Sequence, residues 1–176
     1  MTAAIDRRVN IVQGEFKVSD DPQTVLTTLL GSCVAACIRD PVAGVGGMNH
    51  FLLPGAEVGS QKECESFGVH LMELLLNGLM RQGAQRDRLE AKVFGGARMM
   101  SGLSDIGAKN AAFAQRFLAY EGIKVISGDT GGQQGRRIQF WPVNGRALQS
   151  YISQVVDTPP PRGLAPRPSA GDIDLF

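Results

Sequence analysis

The sequence predicts one domain of the mixed α/β (α+β) class, on three observations. First, 176 residues with 43% apolar content lie in the range of a single domain and are enough for one core. Second, two stretches place apolar residues at helical spacing. Third, strand-like runs occur before, between and after those stretches. Because strands and helices do not alternate regularly, a strict βαβ order is excluded.

The N-terminal half is predicted to be rich in strands. The run "VNIVQGEFKV" (9–18) alternates loosely around Gly14, as two short strands or one bulged strand would. "CVAACIRD" and "GVGGMNHFLL" flank "DPVAG", whose Asp-Pro pair is a turn signal, so a β-hairpin is the simplest interpretation. The later elements are predicted as a helix over 66–81, a buried strand over 89–97, a second helix over 106–122 and two strands around a Gly-rich turn.

The composition changes near residue 157. The folded domain is therefore predicted over 1–157, followed by a Pro-rich, disordered tail over 158–176 that holds more than half of the nine prolines and few large apolar residues. A polyproline-type tail of this kind can also dock in a proline-recognition groove.

Charge and cysteine content restrict the function classes. Lys plus Arg total 18 and Asp plus Glu 17, so no strong field favours polyphosphate or an anionic membrane as a partner. The sequence shows neither a signal-peptide core nor an apolar run of membrane-spanning length, which predicts a cytoplasmic protein. Its three cysteines are then expected to remain thiols.

The predicted hairpin brings a cysteine and a histidine together. If its loop is the four residues 40–43, Arg39 pairs with Gly44, and the same register places Cys33 directly opposite His50. Directly opposite residues have Cβ atoms about 4.5–5.5 Å apart on the same face of the sheet. A slip of one residue would move the two side chains to opposite faces.

A thiol beside an imidazole favours nucleophilic catalysis, because an imidazolium lowers the thiol pKa and can later protonate a leaving group. Gly31 leaves room for substrate, and the amide of Cys33 or a neighbour is a candidate oxyanion donor. Hydroxyls at Thr27, Thr28 and Ser32 are candidates for orienting the base. The alternative is that Cys33 only fills the core, as most free cysteines do.

Two further patterns have structural explanations. "FGGA" and "GDTGGQQGRR" expose backbone N–H groups that suit phosphate, but neither has the P-loop or dinucleotide form, so turns packed closely around the site are favoured. Asp129 is expected to brace the second turn. The C-x3-C pair Cys33 and Cys37 matches no usual zinc pattern, which predicts that Cys37 packs in the core.

Several segments together resemble the CheD family of chemoreceptor glutamine deamidases. They are "LGSCVAACIRDP", "GGMNHFLLP", "AKVFGGARM", "IGAKN" and "GDTGGQQGRR", in this order over most of the domain. The resemblance implies hydrolysis of receptor glutamine amides with Cys33 as nucleophile, His50 as base and Thr27 as its orienting residue. Gly31 and Ser32 are then expected at the oxyanion or substrate approach.

The resemblance also implies a layered β-sandwich with packed helices, similar to bacterial toxin deamidase domains. No metal or organic cofactor is expected. The implied partners are methyl-accepting chemoreceptors, as substrate, and a chemotaxis phosphatase of the CheC type. The alternative function is a non-catalytic module of the same fold that binds receptors or that phosphatase.

Overall fold

The structure is a computed structural model that describes residues 5–55, 59–100, 105–153 and 173–176. Within these ranges the chain forms ten strands, two α-helices and one short 3-10 helix (Arg86–Arg88). The strands are β1 (Arg7–Asn10), β2 (Phe16–Ser19), β3 (Thr24–Leu30), β4 (Val34–Asp40), β5 (Val45–Asn49), β6 (Glu90–Gly95), β7 (Lys124–Thr130), β8 (Arg136–Phe140), β9 (Ala147–Tyr151) and β10 (Ile173–Leu175); the helices are α1 (Gln61–Arg81) and α2 (Ile106–Tyr120).

The strands form two sheets, and both helices pack on one of them. The first sheet has the order β1-β3-β8-β9-β10 and the second the order β2-β5-β4-β6-β7. The pairs β1–β3 and β6–β7 are parallel, and the other pairs are antiparallel. Helices α1 and α2 contact strands of the second sheet. The layers therefore run sheet, sheet, helices, and the predicted mixed α+β sandwich is confirmed.

Two apolar layers fill the spaces between these elements. The layer between the sheets includes Leu26, Leu30, Cys37, Met48, Phe94, Ile138 and Phe140. The layer between the second sheet and the helices includes Val34, Ile38, Phe51, Leu75, Leu79, Phe113 and Phe117. Cys37 is almost fully buried, so its predicted role in packing is confirmed. Alternate residues of β4 face the two layers, as the period of two in a strand requires.

Helix α1 begins earlier than the apolar pattern indicated. Ser60 accepts a hydrogen bond from the N–H of Glu63, whose carboxylate accepts in return from the N–H of Ser60. This capping box satisfies donors at the first turn, so the helix starts at Gln61 rather than near 66. Across the described ranges, no helix is both long and apolar enough to cross a membrane.

The hairpin of β4 and β5 forms, but the predicted register is wrong by two. Arg39 pairs with Gly46 instead of Gly44, and Asp40 pairs with Val45. Asp40 thus stays in the strand, and the loop consists of the next four residues.

The side chain of Asp40 explains this register. Its Oδ1 accepts from the N–H groups of Val42 at 2.9 Å and Ala43 at 3.0 Å, and its carbonyl accepts from the N–H of Gly44 at 3.0 Å. An aspartate that begins a turn in this way satisfies the loop amides without leaving the ladder. The loop therefore moves one residue toward the C-terminus.

The predicted disordered tail is corrected at its end. Within the predicted tail 158–176, strand β10 pairs with β9, and the Phe176 ring lies edge-on to Phe94 at a centroid distance of 5.4 Å. The alternating "IDLF" extends the edge of the first sheet and adds apolar contacts there, which offsets the cost of ordering the segment. Residues 154–172 lie outside the described ranges, and the predicted domain 1–157 stays a prediction.

We expect Asp40→Asn to lower the free energy of unfolding by about 1–3 kcal/mol, the scale of hydrogen bonds to a charged group. Asp40 is fully buried, and its Oδ2 accepts from Arg88 at 2.7 and 2.9 Å. Burial alone would raise the pKa of Asp40, but the bonds from Arg88 and from nearby backbone N–H groups outweigh it and hold the pKa below its ordinary range.

Because the folded-state pKa is depressed, the stabilisation is fully present above the unfolded-state pKa of about 3.9 and decreases as the pH falls below it. Urea unfolding at neutral and acid pH measures both effects. Asp87→Asn, an exposed carboxylate on the same short segment as Arg88, is the control and should change stability by less than about 0.5 kcal/mol. Equal stability of the two variants at neutral pH would contradict the assignment.

Candidate active site

Cys33 lies in the short loop between β3 and β4, and a Gly-rich turn holds that loop. The carbonyl of Cys33 accepts from the N–H of Gly96 at 2.8 Å, and that of Gly31 accepts from Ala97 at 3.0 Å. Gly95 has a φ of +106°, and a Cβ there would lie 2.2 Å from the Cys33 carbonyl oxygen. Only glycine permits this approach. The predicted role of "FGGA" in close packing around the site is confirmed.

Asn110 ties the same loop to the chain that follows His50. This asparagine on α2 is fully buried. Its Nδ2 donates to the carbonyl of Ser32 at 2.9 Å, and its Oδ1 accepts from the N–H of Leu53 at 3.0 Å. Asn110 was not predicted as a site residue. A polar residue on the buried face of an amphipathic helix does, however, indicate that its side chain is hydrogen-bonded to another part of the fold.

Cys33 and His50 lie on the same face of the second sheet but are not directly opposite. Val34 and Phe51 lie directly opposite each other and exchange backbone hydrogen bonds of 3.0 and 2.9 Å. Cys33 precedes Val34, and His50 precedes Phe51. They are therefore diagonal neighbours, a position with a typical separation of about 7–8 Å. The register error of two residues retains the face, because side chains alternate with a period of two.

The imidazole of His50 is held by a hydroxyl on the other sheet. Thr28 Oγ1 lies 2.8 Å from His50 Nδ1 and donates its own proton to the carbonyl of Ile11 at 2.6 Å. The hydroxyl oxygen must then accept from Nδ1–H, which places the proton on Nδ1. His50 Nε2 is buried and has no hydrogen-bond partner in the described part of the chain. Its lone pair is therefore available as a base.

Thr28 replaces Thr27 as the residue that orients the imidazole. Adjacent strand residues point to opposite faces, and Thr28 shares the inward face of β3 with Leu26 and Leu30. Thr27 contributes its carbonyl, which accepts from the N–H of Ile11 at 2.8 Å. The implied assignment of Thr27 is not supported by this geometry.

Burial favours the neutral forms of the Cys33 thiol and the His50 imidazole. It raises the pKa of the Cys33 thiol, although the cysteine's own backbone N–H lowers it in part. It also lowers the pKa of His50, although the carbonyl of Ile11 raises it in part. The expected lowering of the thiol pKa by an imidazolium is therefore wrong for this state.

The segment "GDTGGQQGRR" braces the turn formed by "FGGA". Arg136, almost fully buried, donates to the carbonyls of Gly95 at 3.2 Å and Gly131 at 2.6 Å. Asp129 accepts from Tyr151 Oη at 2.6 Å and lies 3.5 Å from Arg136 Nε. Asp129 thus has the bracing role expected from the sequence.

The fold and the site together define a class, a layered α+β domain that carries a thiol and an oriented neutral imidazole on one sheet face. A family model described as CheD chemotactic sensory transduction matches residues 52–150. The chain belongs to the CheD family.

Curated relatives match the chain over nearly its whole length. A protein of Agrobacterium fabrum is 56% identical over 183 residues, covering 100% of both chains. One of Rhizobium leguminosarum bv. trifolii is 58% identical, covering 97% of this chain and 93% of its own. One of Caulobacter sp. is 52% identical, covering 96% and 93%. All three are named "Probable chemoreceptor glutamine deamidase CheD".

Two solved structures show lower similarity. A Neisseria meningitidis protein has a TM-score of 0.40 and 12% identity, with 66% of this chain and 53% of that chain covered. The Bacillus licheniformis hypothetical protein YfiH has a TM-score of 0.43 and 13% identity, with 72% and 60% covered.

The tautomer of His50 is testable by NMR of the imidazole nitrogens. At neutral pH we expect a neutral ring with its proton on Nδ1, and a titration midpoint below the ordinary value of about 6.5, because burial disfavours the charged form. The second histidine, His70, is exposed, and His70→Gln assigns the two signals. A proton on Nε2, or a midpoint above the ordinary value, would contradict the site described above.

Proposed function

We propose that this protein hydrolyses glutamine side-chain amides of methyl-accepting chemoreceptors to glutamate, with Cys33 as nucleophile and His50 as base. The observation that carries the proposal is the unpartnered Nε2 of a His50 ring held by Thr28, on the sheet face that also carries the Cys33 thiol. The curated relatives, named as probable chemoreceptor glutamine deamidases, supply the substrate class.

The first half of the reaction releases ammonia. His50 Nε2 takes the thiol proton as the Cys33 sulfur forms a bond to the carbon of the glutamine carboxamide. The amide oxygen becomes an oxyanion. His50 then returns the proton to the amide nitrogen, the carbon–nitrogen bond breaks, and a thioester remains. A neutral resting pair suits this order, because charge forms only when substrate is present.

The second half consumes water. His50, neutral again, removes a proton from water as its oxygen attacks the thioester carbon, and the proton then passes to the departing sulfur. The products are a receptor glutamate and the free thiol. The net reaction adds one water and releases one ammonia, and neither a metal nor an organic cofactor takes part in it.

The loop before Cys33 is proposed as the substrate approach. The carbonyls of Gly31 and Ser32 are engaged by Ala97 and Asn110, which fixes the loop from behind. The backbone N–H of Cys33 is a candidate donor to the oxyanion. A Cβ at Gly31 would lie 3.3 Å from Met99 Cγ, so the absence of a side chain lets Met99 pack against this loop.

We also propose a cytoplasmic location and a second protein partner. Cys33, Cys37 and Cys64 are all free thiols, which suits the reducing cytoplasm. A chemotaxis phosphatase of the CheC type is the further partner that the family resemblance implies, and co-purification of the two proteins tests it.

Mass spectrometry of a receptor cytoplasmic fragment tests the proposed function. We expect site-specific conversion of glutamine to glutamate by the intact protein and none with Cys33→Ala. His50→Ala should keep at most a small residual activity, since loss of a general base lowers the rate by about 10²–10⁴-fold. Cys37→Ala, a buried thiol outside the proposed site, is the matched control and should retain activity. No conversion with receptor binding retained would favour the binding-module alternative.

Paired threonine variants separate the orienting hydroxyl from its neighbour. Thr28→Val keeps the side-chain shape but leaves His50 Nδ1 with only the Ile11 carbonyl, 3.4 Å away. We expect deamidation to slow by roughly ten- to hundredfold, less than complete loss of the base. Thr27→Val, one residue earlier on the opposite face, should retain most activity. The reverse ranking would restore Thr27, the assignment that the family resemblance implies.

A further inference from the structure

Gln13 stands in a tight turn beside the thiol. The N–H of Glu15 donates to the carbonyl of Val12 at 3.0 Å, which closes a four-residue turn. Gly14 occupies the third position with a φ of +87°, the conformation that a type II turn requires there. Gln13 is therefore at the second position, with an exposed side chain.

This turn is attached to the backbone of His50. The N–H of Gly14 donates to the carbonyl of His50 at 2.8 Å, and the N–H of His50 donates to the carbonyl of Glu15 at 3.1 Å. The preceding residue, Ile11, accepts the Thr28 hydroxyl. The segment 11–15 thus contacts the base on two sides, so the base and Gln13 are held in one rigid unit.

The side chain of Gln13 reaches the nucleophile. The Cys33 thiol donates to Gln13 Oε1, with 3.8 Å between sulfur and oxygen. A carboxamide carries one acceptor oxygen and an NH₂ group with two donors, and rotation about its last torsion exchanges the two ends. Because the side chain is exposed, this rotation meets little resistance.

We propose that the Gln13 side-chain amide is a catalytic donor, which stabilises the Cys33 thiolate and then the oxyanion formed on the substrate. The inference rests on the proposed function and adds a residue to it. In the resting state the thiol needs an acceptor, which Oε1 provides. Once His50 has taken the proton, the sulfur and then the amide oxygen carry negative charge, and the Nε2–H groups become the favourable end.

The distance agrees with this role. A separation of 3.8 Å lies at the long end of the range for a hydrogen bond to sulfur. It leaves space for an oxygen bonded to the carbon that the sulfur attacks, at the roughly 2.7–3.1 Å that an oxyanion donor requires. The N–H of Cys33 and the amide of Gln13 then supply two donors, one from the backbone and one from a side chain.

Receptor deamidation by Gln13→Ala and Gln13→Glu tests the proposal. We expect kcat to fall by about 10²–10³-fold in both, the usual effect of losing one oxyanion donor, with KM changed only a few-fold. Gln13→Glu keeps the shape of the side chain, so its loss of activity reports the donor. Gln115→Glu makes the same change at an exposed position on α2 and should leave kcat unchanged. Thermal unfolding of each variant controls for stability.

Alkylation of Cys33 by iodoacetamide at neutral pH is an independent measurement that does not need the receptor. A carboxylate beside the sulfur opposes the thiolate, so Gln13→Glu should slow alkylation by about tenfold, and Gln13→Ala should slow it less. Gln115→Glu should match the unaltered protein.

Three results would overturn the proposal. One is deamidation by Gln13→Ala at the unaltered rate. Another is an effect on KM alone, which would make Gln13 a binding residue. The third is Cys33-dependent conversion of Gln13 itself to glutamate, which would make it a substrate. If the unaltered protein converts no receptor glutamine, the proposed function fails. In that case, alkylation of Cys33 in the Gln13→Glu variant at the unaltered rate would separately overturn the contact between Gln13 and the thiolate.

Discussion

The hydrogen bond between Thr28 and His50 is the interaction on which the site depends. Thr28 belongs to the first sheet, and His50 follows the last strand-forming residue of β5 in the second, so the bond joins the two sheets at one end of the sandwich. It determines which ring nitrogen carries the proton and which is free. Because the apolar layer between the sheets sets the distance between the strands, the orientation of the His50 imidazole is a consequence of core packing.

Cys33, the proposed nucleophile, is held mainly by hydrogen bonds to its loop from remote parts of the chain. Its loop is engaged by Gly96, Ala97 and Asn110, which follow strand β6 or lie on helix α2. Such contacts occupy the loop carbonyls and leave the thiol at the surface end of the inter-sheet layer. Helix α2 therefore contributes to the site through Asn110, and displacement of α2 would change the geometry around Cys33 and around the chain that follows His50.

The electrostatics favour a site that is neutral at rest. A half-buried thiol and a buried imidazole both lose solvation, which disfavours their charged forms. Charge separation is then most favourable once substrate and donors replace water. For the same reason a glutamine suits the position of Gln13 beside Cys33, because its side chain can accept from a thiol or donate to an anion.

The amino-acid pattern by itself determined the class of fold, both helices, the hairpin and the presence of a Cys33–His50 pair, because these depend on local periodicity and turn chemistry. Tertiary structure decided the hairpin register, through the Asp40 side chain, and the choice of Thr28 over Thr27, through the face that packs inward. It also decided the pairing of β10 and the role of Asn110. The Thr28–His50 and Ser32–Asn110 contacts join residues 22 and 78 positions apart, where packing of sheets and helices selects the partner and local sequence carries no signal.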